Sequence, residues 1–168
     1  MTNGSHMPKN FPKSIIGDTI LQQETYFIQK NRFAVHGSLP ATLDLPILYK
    51  LEKEQITVLS GSPDKTKFRE EPIAWTPVYG HDDDDLPVVP TGLIFIELKE
   101  GQPIEKKREL LLSEGYLIQE ILKYAPHCAW LVSDQGDIAE ALNHMQNLTQ
   151  IPDVQNVKPQ LLQPRSFK

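Results

Sequence analysis

The sequence predicts an α+β fold: a β-α-β-β-α-β sandwich of four antiparallel strands and two helices, preceded by an irregular β-rich segment. Three observations carry this. Thr91–Leu98 (TGLIFIEL) and His127–Val132 (HCAWLV) are near-continuous apolar runs, as expected of strands flanked on both sides. Two segments of helical character alternate with the strands, one stopping at Gly115 and the other before Pro152. The last strand, Val154–Leu162 (VQNVKPQLL), carries Asn156, Lys158 and Pro159, which suit an edge position.

Taken in order, residues 1–22 read as a flexible tail in which only Ile15, Ile16, Ile20 and Leu21 could dock. Residues 23–86 form the β-rich N-terminal region, with candidate strands Thr25–Gln29, Phe33–His36, Ile47–Leu51, Gln55–Leu59 and Ile73–Val78. Asn31 and Gly37 read as turn residues, Lys53-Glu54 as a hairpin tip, and Gly61-Ser62-Pro63-Asp64 as a turn cluster. Residues 87–168 form the sandwich domain. After its first strand Glu100-Gly101 turns the chain, and Pro103 suits a helix start. Ile104, Leu111 and Leu112 share the face of that helix. Tyr116–Leu122 (YLIQEIL) is the second strand and Tyr124-Ala125-Pro126 the turn into the third. Asp137 with Glu140 resembles a helix-start box, followed by an apolar stripe of Ile138, Leu142, Met145 and Leu148. In this order of elements the first and third strands are central and both helices lie on one face.

Composition narrows the function classes. Of the 168 residues 39% are apolar and 23% charged, the balance of a folded chain. The net charge of −5 argues against a nucleic-acid partner, which recruits dense Lys/Arg faces. No apolar run approaches the roughly 20 residues of a membrane span, so no membrane partner is expected. The polar stretch Met1–Lys13 has no signal-peptide apolar region. The default location is therefore cytoplasmic, with an extracellular one left open. A single cysteine, Cys128, precludes an internal disulfide and a cysteine-based zinc cage.

Side chains with catalytic or ligating chemistry have bland readings. His81-Asp82-Asp83-Asp84-Asp85 lacks the alternating ligands and glycine turn of a calcium loop and reads as a solvated acidic linker. His127 and Cys128 are neighbours in a strand, which sends their side chains to opposite faces, so Cys128 reads as a small core residue. No histidine pair has helical metal-ligand spacing, and Ser60, Ser62, Ser113 and Ser133 lie in no nucleophile elbow. Trp75, Trp130, Tyr79 and Tyr124 read mainly as core aromatics. An RNA-binding sheet would need basic residues among exposed aromatics on its central strands. These strands carry Leu93, Phe95, Cys128 and Trp130 with almost no charge. No catalytic residue, metal or cofactor is expected.

Ile151-Pro152-Asp153-Val154-Gln155-Asn156-Val157-Lys158-Pro159 resembles the closing segment of subtilisin-like serine protease propeptides. Thr91–Leu98 resembles the first strand of that family, and Tyr124–Val132 its third. The resemblance covers about the last 80 residues. It implies a ferredoxin-like sandwich that acts as a peptidase inhibitor or folding chaperone of a subtilisin-like protease, joined to it or split from it. The sheet would lie on two protease helices, with Lys158 and Pro159 at the docking edge. Gln160, Leu161, Leu162, Gln163, Pro164 and Arg165 would run into the active-site cleft like a bound product. Lys158 stands where the family carries an acidic residue that caps protease helices. The rival reading is a general protein-binding module using the sheet face or the N-terminal β region.

Overall fold

A computed structural model describes residues 11–18, 22–41, 43–63 and 74–164. Among these the strands, in chain order, are β1 (Ser14–Asp18), β2 (Gln23–His36), β3 (Ile47–Leu51), β4 (Ile56–Ser60), β5 (Ala74–Gly80), β6 (Val89–Leu98), β7 (Tyr116–Leu122), β8 (Ala125–Ser133) and β9 (Val154–Leu162). The helices are α1 (Arg108–Ser113), entered through a 3-10 turn at Ile104–Lys107, α2 (Ile138–Asn143) and α3 (Met145–Leu148). The chain is α+β, mostly strand, in two antiparallel sheets.

The first sheet is organised by β2. It pairs with β1 along Gln23–Phe27, with β4 along Arg32–His36, and with β5 on both sides of an irregularity between Ile28 and Phe33. Asn31, at φ 61°, lies in that irregularity. Its left-handed backbone is used for a bulge, so the two strands expected on either side of a turn are one bent strand. Ser14–Asp18, expected within the flexible tail, is strand β1: Ile15 is buried while Ile16 stays exposed, the alternation a paired strand imposes. Ile20, Leu21 and residues 1–10 lie outside the described residues, as does Ile73 at the start of the expected fifth strand. The β3–β4 hairpin turns over Glu52–Gln55, with the expected Lys53-Glu54 at its tip.

The second sheet has the order β7-β8-β6-β9, so the two most apolar strands are central and the two more polar ones form its edges. Ile94, Ile96 and Leu98 of β6 and Ala129 and Leu131 of β8 meet Ile104 and Leu111 from the first helical segment and Leu142 and Leu148 from α2 and α3. Both helical segments thus cover the same face. Gly92 has φ 93°, and a Cβ there would stand 3.0 Å from Ile138, so glycine lets the start of α2 press against the strand. Asp137 caps α2 by accepting from the Ala139 and Glu140 backbone N–H groups, as its sequence box anticipates. The expected second helix is not continuous: it breaks at His144 into α2 and α3. Tyr116 is buried and its hydroxyl donates to the Ala141 carbonyl at 2.6 Å, tying β7 to α2.

The two sheets meet at the start of β6 and the end of β9. Val88 and Leu161 pack with Ile15, Tyr26 and Tyr79, and Val89 and Leu162 pack with Ala34, Val58 and Val78. Reciprocal backbone hydrogen bonds between Tyr79 and Val88 stitch the junction, and the Tyr79 hydroxyl donates to the Pro12 carbonyl at 2.7 Å.

His81–Asp85, expected to be a solvated linker, keeps most of its side chains in solvent, but its backbone is anchored. The buried Gln29 amide donates to the carbonyls of Asp82 and Asp85, each at 2.9 Å, and Arg32 donates to the Asp85 carbonyl at 2.7 Å. A Cβ on Gly80 would sit 2.4 Å from the Gln29 amide nitrogen. Gly80→Ala therefore forces that buried amide off the Asp82 and Asp85 carbonyls and is expected to destabilise the fold by about 1–3 kcal/mol. Urea unfolding checks this, with Gln29→Leu giving a loss in the same range.

His36 shares a 3.0 Å hydrogen bond with the Thr76 hydroxyl, and burial pushes its imidazole from 6.5 down to about 4. The unfolded chain takes up this proton first. Stability is therefore whole above about pH 7 and falls as pH drops through 6.5 towards 4. The contribution is at most about 3 kcal/mol. Unfolding free energies at neutral pH and at the lower end of this window should differ by less in His36→Gln than in the parent chain.

Candidate functional site

The face of the second sheet turned away from the helices carries a cross-strand row. Register pairs Glu120 on β7 with Trp130 on β8, Trp130 with Phe95 on β6, and Phe95 with Lys158 on β9. The Phe95 and Trp130 rings meet edge-to-face with centroids 5.3 Å apart. The Lys158 ammonium lies 5.6 Å from the centre of the Phe95 ring. The row thus has an acidic end, an aromatic centre and a basic end. Both aromatics are half-buried, and on the same face Leu117 is exposed. Aromatic surface between charged ends, on hydrogen-bonded strands, gives contact area at low entropic cost.

The other aromatics fall elsewhere. Tyr79 is in the core, where burial raises its pKa, and Trp75 packs edge-on against Phe33. Tyr124 stands 93% exposed at the β7–β8 turn, against the expectation of a core role.

A second constellation lies one register step along the same face. Glu97 pairs with Cys128 across β6 and β8. Their donor atoms and the ring nitrogen of His127 all lie within 4.8 Å of one another, and His127 Nε2 is 3.9 Å from Glu97 Oε2. This corrects the expectation that His127 and Cys128 point to opposite faces. The β7–β8 pairing jumps from Ile121–Ala129 to Leu122–Ala125, so β8 bulges at 126–128 and the strict alternation of sides fails there. Burial, and secondarily the Glu97 carboxylate, raise the pKa of the Cys128 thiol, the reverse of what primes a nucleophilic cysteine.

Of the predicted cleft-binding segment, residues 160–162 are held as strand within the chain. Gln160, Leu161 and Leu162 belong to β9; Leu161 and Leu162 pair with Pro90 and Val89, and Gln160 accepts from the Thr91 hydroxyl at 2.8 Å. Gln163 is exposed and Pro164 buried. With Leu162 they line a groove of about 950 Å³ against the β3–β4 hairpin. Arg165 lies outside the described residues. Residues 160–162 close the strand expected over Val154–Leu162, and Leu161 and Leu162 pack half-buried at the junction of the two sheets. Lys158 and Pro159 are on the expected edge strand, Lys158 on the aromatic face and Pro159 facing the helices opposite Ile94.

Among the described residues no helix is long and apolar enough to cross a membrane. Comparisons with family models, curated proteins and solved structures return no match.

Because Leu161 and Leu162 join two hydrophobic clusters, Leu161→Ala with Leu162→Ala should cost roughly 2–4 kcal/mol in urea unfolding.

Proposed function

We propose that the chain is a protein-binding module, not an enzyme, and that its contact surface is the aromatic face of the β7-β8-β6-β9 sheet. The single observation that carries this reading is the Glu120–Trp130–Phe95–Lys158 row on the side left uncovered by the helices. A ferredoxin-like assignment for residues 87–168 is favoured by the strand order and by helices confined to one face, with the first sheet added to that core unit. The partner class we favour is a subtilisin-like serine protease, bound as propeptides bind, through the sheet face. Lys158 would sit at the docking edge in place of the family's acidic residue and select a partner surface with negative charge at that point. Gln160–Leu162 are occupied as strand, so a product-like segment in the cleft would have to follow them. The rival reading, a non-protease partner, uses the same face and is favoured by that occupancy.

The test is binding and inhibition of a panel of purified subtilisin-like proteases. Saturable binding is expected, weakened at least tenfold by Trp130→Ala or Phe95→Ala with the fold retained. Deleting residues 165–168 reads the tail separately: unchanged inhibition assigns the effect to the face, and lost inhibition restores a cleft-bound tail. Absence of binding across the panel ends the protease reading. Affinity for any captured partner that is indifferent to both face variants ends the docking-face reading.

A further inference from the structure

We propose that Glu97, His127 and Cys128 form a three-ligand site for a divalent cation of the zinc class on the sheet face beside Phe95 and Trp130. This inference stands independently of the binding role. Among the described residues these three are the group whose donor atoms converge, all within 4.8 Å of one another. Zinc bonds of about 2.3 Å to sulfur and 2.0–2.1 Å to nitrogen or oxygen, in a tetrahedral shell, place donors roughly 3.5 Å apart. His127 and Glu97 already approach to 3.9 Å. The other donor pairs, within 4.8 Å, have to shorten by roughly 1 Å at most on binding.

The donor set identifies the class of cation. A thiolate, an imidazole and a carboxylate suit a borderline-soft ion, whereas calcium and magnesium take oxygen throughout. The burial gradient suits an anchored site with an opening. Cys128 is 5% exposed, while the His127 and Glu97 side chains are 18% and 36% exposed. The sulfur is shielded, and the fourth position faces solvent, as in zinc sites with three protein ligands and one water. The backbone supports this purpose: the β8 bulge sets adjacent residues His127 and Cys128 against one carboxylate of β6, which regular pleating forbids. On binding, the thiol gives its proton to the buffer and sulfur donates a lone pair to the metal, with no change of oxidation state.

The experiment uses the full chain with Co²⁺ as an optical probe and Zn²⁺ as the competitor. Expected are one saturable site, a near-ultraviolet sulfur-to-cobalt charge-transfer band that Zn²⁺ abolishes, and release of about one proton per metal. Cys128→Ser should lose the charge-transfer band, and His127→Ala should weaken Zn²⁺ binding at least tenfold. Glu97→Gln alters the most exposed ligand and leaves the buried sulfur in place, so it reads the site even where a cysteine variant folds poorly. It should also weaken binding at least tenfold. No saturable binding, binding without the sulfur band, or binding unchanged in both His127→Ala and Glu97→Gln overturns the proposal.

Discussion

The fold depends on β6, which is paired on both edges along Ile94–Glu97 and packed at both ends. Its backbone bonds to β8 on one edge and β9 on the other, and its inward side chains Ile94, Ile96 and Leu98 are fully buried under the helices. Its first residue, Val89, is equally buried, but in a cluster that belongs to the other sheet. One strand therefore serves two cores. Unpaired backbone groups in such a strand would be costly, and this fixes where β9 must lie. The end of β9 is carried along: once Val157 and Pro159 pair with Ile96 and Ile94, Leu161 and Leu162 arrive at the junction of the sheets.

Bulges shape the surfaces as much as the regular ladders do. At Asn31 a left-handed residue bends β2 so that it serves β1, β4 and β5, and the neighbouring Gln29 side chain reaches the carbonyls of the acidic turn. At Gly92 a positive φ admits Ile138 and seats α2 on the sheet. At 126–128 a bulge in β8 turns His127 towards Cys128 and Glu97. In each case a break in pairing costs a ladder bond and re-aims a side chain that regular pleating would send elsewhere.

The face of the second sheet turned away from the helices sets half-buried aromatics between charges of both signs. Its two features lie one register step apart: the Phe95–Trp130 pair and the Glu97–His127–Cys128 cluster.

Sequence alone determined the elements with strong local signals. The spans Ile47–Leu51, Tyr116–Leu122 and Val154–Leu162 match the strands residue for residue, and Asp137 starts its helix. Those features follow from short-range rules of alternation, capping and proline placement. Central and edge strands were also legible, because apolarity on both faces reports how many layers cover a strand. The aromatic row was half legible: Phe95 and Trp130 stood out, but their alignment with Lys158 and Glu120 is a property of register, which pairs residues far apart in the chain. Only the tertiary structure could merge two candidate strands at Asn31, make Ser14–Asp18 a strand, draw Leu161 and Leu162 into the junction and bring His127 beside Cys128. Each depends on a partner strand contributing backbone bonds or buried surface at a distance, and no local pattern encodes that partner's position.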